Sequence, residues 1–203
     1  MDFTYKKYQQ LLVSLLEKNY QFISIKEYIE NPANKSIILR HDVDRNPQKS
    51  LAIAEIENKL KIQSIYYFRT REYTFRPKVI KKIQSLGHSI GYHYENLSDF
   101  KGDYEAAIRD FKHQLNKLRE VASINHIAMH GSPSSRWDNR LLWKNFNYKD
   151  YGVETEPYFD LDFNKIFYIT DASRSWNNKK VSIRDKVKTN FNINIYNTDS
   201  IIN

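Results

Sequence analysis

The sequence has 203 residues and a formal net charge of +8, and 40% of its residues are hydrophobic while 28% are charged. This length fits one domain with a single core, and the composition is that of a globular chain rather than a disordered one. The sequence contains no cysteine, which excludes a disulfide framework, a thiolate metal site and a cysteine nucleophile. Any transition metal must therefore be held by His, Asp or Glu.

The sequence also bears on location and partners. No apolar run approaches the roughly 20 residues that a transmembrane helix needs, and residues 1–7 lack the pattern of a signal peptide. We therefore expect a cytoplasmic protein without a membrane span. The basic residues are spread along the chain, and the longest basic runs are pairs such as Lys81-Lys82, so we expect no nucleic-acid partner.

Helical and strand patterns alternate along the chain without repeats or a linker, which predicts one domain over residues 1–203. The apolar spacing predicts a helix over Thr4–Lys18 and a buried strand over Ser36–Asp44. Proline at position 47 suits the start of a second helix, which runs to Leu60. The remaining predicted elements are a strand over Ile62–Arg69, a helix from Pro77 to a C-cap at Gly87, a strand over His88–His93, a helix over Asp103–Arg119, a strand over Ile124–His130 and a last strand over Ile166–Asp171.

This alternation predicts an α/β fold with a parallel sheet and right-handed crossovers. Such a sheet is either open and doubly wound or closed into a barrel, and both forms place functional residues at the carboxyl ends of the strands. Polar residues do end the predicted strands. They are Asp42 and Asp44 in the first strand, Arg69 in the second, His93 in the third, His130 in the fourth and Asp171 in the fifth.

Asp42 and Asp44 are expected to project on the same side, because side chains alternate along a strand. Two carboxylates so close together repel each other unless a cation lies between them. A metal bound by Asp44 would keep Asp42 ionised and available as a general base. The alternative is that both aspartates cap the following helix.

Two histidines are the predicted partners of Asp44. His93 and His130 both end strands, and together with Asp44 they give three protein ligands and an open position, the pattern of a catalytic zinc site. In the alternative interpretation, His130 is only a turn residue before Gly131. The other histidines of the central region are expected elsewhere, namely His88 on the opposite side of its strand, His113 on a solvated helix and His126 at the far end of its strand.

Three segments resemble the NodB-type polysaccharide deacetylase family. They are residues 40–47 (Arg-His-Asp-Val-Asp-Arg-Asn-Pro), 66–69 (Tyr-Tyr-Phe-Arg) and 87–95 (Gly-His-Ser-Ile-Gly-Tyr-His-Tyr-Glu). The family consists of metal-dependent hydrolases built on a distorted (β/α) barrel, so the resemblance implies about seven strands. It also implies that Asp42 is the base and that Asp44 and His93 are metal ligands. The resemblance extends from the first helix to about Trp176.

The sequence departs from the family pattern at two places. Leu97 stands where the family has a second histidine ligand, and our own inference assigns that role to His130. No histidine follows His130, whereas the family has a late histidine that is thought to act as general acid. Either the barrel is incomplete at the C-terminal end of this sequence, or another group protonates the leaving amine.

The remaining expected site residues concern the substrate. Residues 171–176 resemble the family's fourth motif, which implies that Asp171 lines the pocket, and we expect Arg174 to orient Asp42. Trp176 would form an apolar wall, although core packing accounts for it equally well. Arg69 would bind an acidic substrate group or form a salt bridge. Tyr94 and Glu95, directly after His93, complete the expected substrate-binding set.

The resemblance implies hydrolysis of an N-acetyl group on a saccharide. A divalent metal, expected to be Zn²⁺, would polarise the acetyl carbonyl, and Asp42 would take a proton from the attacking water. Two alternatives differ in class. One is a non-catalytic protein of the same fold that binds a saccharide or a protein partner, and the other is a hydrolase of a non-sugar amide.

Overall fold

A four-stranded parallel sheet lies at the centre of the fold. It was obtained in a computed structural model that describes residues 1–132, 134–176, 187–192 and 195–202. The strand order is β3-β4-β5-β6, and a separate two-stranded parallel sheet pairs β1 with β2. The fold is therefore mixed α/β, as predicted, but the described residues form an open sheet and no closed barrel.

The strands are short and their register is regular. Their bounds are β1 Gln21–Phe22, β2 Ser36–Ile37, β3 Arg40–Val43, β4 Ile65–Phe68, β5 Ser89–Tyr94 and β6 Ile124–Met129. The predicted strand over 36–44 is thus two strands, which belong to different sheets. Asp42 pairs with Tyr67, and Tyr67 pairs with Gly91, so these three residues lie side by side across the sheet.

The helices are α1 Tyr5–Glu17, α2 Ile25–Glu30, α3 Pro47–Lys59, α4 Pro77–Ser85, α5 Asn96–Asp99, α6 Tyr104–Arg119, α7 Pro157–Asp160 and α8 Asp199–Ile202. Helices α3, α4, α5 and α6 form the crossovers between the strands of the main sheet. The predicted helices near residues 4–18, 47–60, 77–87 and 103–119 are confirmed. Within the described ranges, no helix combines the length and the apolar character needed to cross a bilayer.

The two faces of the sheet differ in character. One face packs an aromatic and aliphatic core against the helices, with Tyr66, Phe68 and Tyr92 all buried. Tyr92 lies against Phe111 of α6 with 5.5 Å between the ring centroids. The other face carries the polar residues of β3 and β5, because adjacent strand residues point in opposite directions.

The predicted strand over Ile166–Asp171 is wrong: the described backbone there is irregular. The chain instead returns beside β6 earlier, where Thr155 forms a parallel bridge with His126. The pairing ends after one residue because the Glu156 side chain caps α7, which begins at Pro157. Asp171 is therefore not at a strand end.

A buried carboxylate joins four elements below the sheet. Glu57 of α3 is fully buried, and it accepts hydrogen bonds from Tyr8 of α1, His41 (2.6 Å), Ser64 (2.6 Å) and Tyr66 (2.7 Å). Burial alone would raise the pKa of the Glu57 carboxyl, but His41 and these hydrogen bonds lower it to about 2. The contact with Glu57 likewise raises the pKa of His41, although burial alone would lower it. Sequence periodicity does not distinguish Glu57 from an exposed helical glutamate.

We expect Glu57→Gln to lower the free energy of unfolding by about 3–5 kcal/mol, because it breaks a buried ion pair. The carboxyl has a lowered pKa, so its contribution is complete above its ordinary value of 4.5 and is lost as the pH falls towards 2. The imidazole has a raised pKa, so its contribution is complete below 6.5 and is lost at higher pH. Urea unfolding across this range should therefore give the largest difference between wild type and variant from pH 4.5 to 6.5.

The matched control is Glu55→Gln, which removes an exposed carboxylate from the same helix. It should change the free energy of unfolding by no more than about 0.5 kcal/mol. A similar loss in both variants would show that the ion pair of Glu57 does not stabilise the fold.

Candidate metal centre

Three side chains from separate strand ends meet at the carboxyl edge of the main sheet. Asp44 follows β3, His93 lies in β5 and His130 follows β6. Asp44 Oδ1 is 3.5 Å from His93 Nε2 and 3.6 Å from His130 Nε2. One ligand atom from each residue lies within 4.8 Å of the other two. The structure therefore brings the three predicted ligands together.

Hydrogen bonds orient both imidazoles towards Asp44. His93 Nδ1 is 2.9 Å from the carbonyl oxygen of Ala128, which can only accept a hydrogen bond. His130 Nδ1 is 3.0 Å from Ser132 Oγ and 3.1 Å from Glu95 Oε2. These partners assign the proton of each neutral ring to Nδ1 and leave the lone pair of each Nε2 facing Asp44, an arrangement common among metal-ligating histidines.

Asp44 Oδ1 has the surroundings of a metal-ligating oxygen. The Asp44 side chain is 47% exposed, yet this oxygen is shielded from solvent and has no hydrogen-bond partner among the described residues. An unpartnered buried carboxylate oxygen is costly. Ligand atoms about 2.1 Å from a tetrahedral zinc ion lie about 3.4 Å apart, close to the two separations measured here. The residues present therefore fit a zinc ion with an open coordination position.

Asp42 lies beside this group and is held by an arginine of its own strand. Arg40 donates to both carboxylate oxygens, at 2.6 Å from Nη2 and 3.3 Å from Nε. Burial would raise the pKa of the Asp42 carboxyl, but the charge and the hydrogen bonds of Arg40 are foremost among the contacts that lower it to about 2. The Arg40 guanidinium lies between the rings of Tyr67 and Tyr158, at 5.3 and 5.4 Å from their centroids. Asp42 is thus ionised at neutral pH and fixed in place.

The expectation that Arg174 orients Asp42 is replaced by this contact. Arg40 precedes Asp42 by two residues, so both side chains project from the same face of β3. Arg174 is exposed in a short 3₁₀ turn over Ala172–Arg174. Asp171 is also exposed, and it lies near enough to Tyr8 to contribute to the raised pKa of that tyrosine. Neither residue has a described contact with the three ligands.

Neither aspartate caps the following helix. The N-cap position of α3 is occupied by Asn46, and the helix begins at Pro47. Of the two interpretations of Asp42 and Asp44, the structure favours the one in which they project together towards the carboxyl edge.

Glu95 contacts His130 at Nδ1, the ring nitrogen that does not face Asp44. Arg69 donates to both oxygens of Glu95, at 2.8 and 2.7 Å, and Arg71 donates to one at 2.7 Å. Burial opposes ionisation, but the hydrogen bonds from His130 and the arginines hold the pKa of Glu95 well below its usual range. For Arg69, the structure selects the salt bridge over a free substrate-binding group. Arg71 was not singled out in the sequence.

Tyr94 and Trp176 lie away from the ligands, contrary to their expected substrate contacts. Tyr94 is fully buried on the opposite face from His93, because neighbouring strand residues alternate. Its hydroxyl donates to Glu156 at 3.1 Å and accepts from Trp143 at 2.8 Å. The Trp176 indole donates to Thr198 at 3.1 Å, and its ring lies 5.4 Å from that of Phe3. In this structure both residues pack within the protein.

The segment 154–160, whose carboxylates had no assigned role, is structural. Asn125 donates to Glu154 at 3.3 Å, and Tyr148 donates to Asp160 at 2.9 Å. Glu156 caps α7 and accepts from the Met129 amide at 3.1 Å. None of these three carboxylates belongs to the group of ligand atoms described above.

A scan against protein-family models and searches of curated proteins and of solved structures found no match to this chain. The interpretation of the centre therefore depends on its own geometry and on the motifs within the sequence.

We expect the protein, purified after zinc supplementation, to hold one zinc ion per chain by elemental analysis. His130→Ala should lose most of this metal, because it removes one of three protein ligands. The control is His113→Ala, which removes an exposed imidazole from α6 and should leave the metal content unchanged. Equal zinc content in both variants would reject His130 as a ligand.

Glu95→Gln should keep the ligands but weaken zinc binding by about 10–100-fold, because it removes the carboxylate that orients His130. A competition titration with a chelator of known affinity would measure this change. Unchanged zinc affinity would show that Ser132 alone suffices to orient the ring.

Proposed function

We propose that this chain is a zinc-dependent hydrolase that removes N-acetyl groups from a saccharide. The observation that carries the proposal is the unpartnered oxygen of Asp44, which faces two oriented imidazole nitrogens while ionised Asp42 lies beside them. The resemblance of residues 40–47 and 87–95 to the NodB-type deacetylases supports the same reaction class.

Asp44, His93 and His130 would hold the metal. When bound, zinc would supply Lewis acidity that polarises the acetyl oxygen and makes a nearby water more acidic. Asp42 Oδ2 lies 3.7 Å from His93 Nε2, so its carboxylate adjoins the residues that would hold the metal. We assign to Asp42 the removal of the proton from the attacking water.

The low pKa of Asp42 shapes this assignment. A carboxylate with a pKa of about 2 is a weak base, so its fixed position beside the reacting atoms contributes more than its basicity. Arg40 supplies that position. Once protonated, the Asp42 carboxyl would be held beside the reacting atoms, and it would return the same proton to the departing amine nitrogen.

This return of the proton would replace the general acid, which in the family is a late histidine that this sequence lacks. Glu95 is a poor candidate for the general acid, because two arginines and His130 hold it as an anion. We therefore propose that Asp42 acts first as base and then as acid in the 203-residue chain.

We also propose that the open sheet belongs to a distorted (β/α) barrel of about seven strands. The bridge between Thr155 and His126 extends the parallel pairing beyond β6. Tyr67 and Arg40 point to the face that would be the interior of such a barrel, where Tyr158 covers them.

We expect Asp42→Asn to keep one zinc ion per chain and to lower acetate release from N-acetylated oligosaccharides by about 10²–10⁴-fold, because the amide cannot accept the proton. Asp44→Asn should instead lower the zinc content. Zinc analysis and an acetate assay of the same preparations would check both results. Near-normal turnover by Asp42→Asn would reject its role as base.

The same assay separates the alternatives. Acetate release from simple N-acetylated amides but not from saccharides would favour a non-sugar amidase. Saccharide binding without release of acetate from any compound would favour a non-catalytic binding protein.

A further inference from the structure

A cavity of about 450 Å³ lies between the first residues of α3 and α4. Its polar lining comes from Asn46, Gln48, Tyr73, Arg76 and Lys78. Asn46 follows the candidate ligand Asp44 by two residues, so the cavity borders the loop that carries this ligand. Tyr73 and Arg76, in the segment after β4, form another wall. The cavity therefore opens at the same carboxyl edge of the sheet as the metal centre.

The charge of this cavity is positive. Arg76 and Lys78 are both exposed, and none of the described residues that line the cavity has a carboxylate. Arg76 uses one Nη1 hydrogen bond of 2.9 Å on the Glu72 carbonyl, which leaves further N–H groups of the guanidinium to donate. Within the described ranges, Lys78 forms no salt bridge. Both cations are thus available to an anionic ligand.

A different cavity, which includes His93 and Glu95 in its lining, is mainly negative. It is lined by Glu95, Asp99 and Asp110, with Arg71 as its one cationic residue among those described. Arg71 is already paired with Glu95 and Asp99. The two cavities therefore differ in charge: carboxylates dominate the one that includes His93 and Glu95, and cations line the one beside the loop of Asp44.

Tyr73 gives the positive cavity an aromatic wall at a fixed position. Its side chain is 49% exposed, and the Arg69 guanidinium lies 5.8 Å from its ring centroid. Arg69 is held by Glu95, which also contacts His130. The tyrosine is thus linked through two charged side chains to a candidate metal ligand. An exposed aromatic ring beside cations is suited to a ligand with both an apolar ring face and a negative group.

We infer that this cavity binds an acidic sugar unit next to the N-acetylated one, so that the preferred substrate is a saccharide that carries carboxylate groups. The carboxylate would lie at Arg76 and Lys78, and the sugar ring would lie against Tyr73. The inference rests on the proposed function for the identity of the reacting sugar, but binding at the cavity can be measured without turnover.

The test is a calorimetric titration of the zinc-loaded protein with two oligosaccharides of equal length. One alternates N-acetylhexosamine with hexuronic acid, and the other is a neutral oligomer of N-acetylglucosamine. The double variant Arg76→Gln/Lys78→Gln should bind the acidic oligosaccharide about 5–20-fold more weakly at low salt and the neutral one less than about 2-fold more weakly. The difference should shrink at high salt, because exposed charges are screened.

The matched control is Lys81→Gln/Lys82→Gln, which removes two exposed cations from α4 without touching the cavity. It should leave both affinities unchanged. Equal binding of the two oligosaccharides by the wild type, or an equal loss of affinity in both double variants, would overturn the inference. Displacement of the acidic oligosaccharide by inorganic phosphate at the same concentration would also overturn it, since the cavity would then bind anions without regard to the sugar.

Acetate release, measured on the same samples, separates this inference from the proposed function. Selective binding that depends on Arg76 and Lys78, without acetate release, would support the cavity and reject the hydrolase. Acetate release at equal rates from both oligosaccharides, unchanged in the double variant, would support the hydrolase and reject the cavity.

Discussion

The parallel pairing of β3, β4, β5 and β6 is the constraint on which the candidate centre depends. Because all four strands run in one direction, their carboxyl ends share an edge, and residues far apart in sequence reach it together. Asp44 and His130 are separated by 86 positions in the chain numbering, yet their ligand atoms lie 3.6 Å apart. The alternation of side chains then decides which residues reach the edge and which enter the core.

Around the centre, the carboxylates are treated unequally. Asp42 is neutralised by Arg40, and Glu95 is neutralised by Arg69 and Arg71. The described contacts of Asp44 with cationic side-chain types are limited to two imidazoles, both of which present a lone pair when neutral. One acid is therefore left without a compensating guanidinium, and a divalent cation would complete the balance. This asymmetry favours a metal at Asp44 rather than at Asp42.

The sequence predicted the parts of this arrangement that follow from strand direction and alternation. The strand ends at Asp44, His93 and His130 were located because polar residues interrupt buried patterns there, although the metal itself stays a prediction. The side chains that contact the site residues were harder to predict from the sequence. Arg174 was the predicted partner of Asp42, but Arg40 occupies that position because it shares a strand face with the aspartate. That contact is local and follows from strand alternation, whereas the partners of Glu57 and Glu95 depend on packing between distant segments, for which a single sequence gives little signal.

Gly91 links the backbone of β5 to the position of Asp42. A Cβ atom there would lie 2.4 Å from Cδ1 of Tyr67, too close for any real contact, so the ring rests directly on the glycine. Arg40 in turn lies over that ring, and it holds Asp42. A single methyl group added to β5 would therefore tilt the tyrosine, displace the guanidinium and misalign a carboxylate two strands away. The absence of a side chain at Gly91 thus lets the Tyr67 ring rest on β5 beneath Arg40.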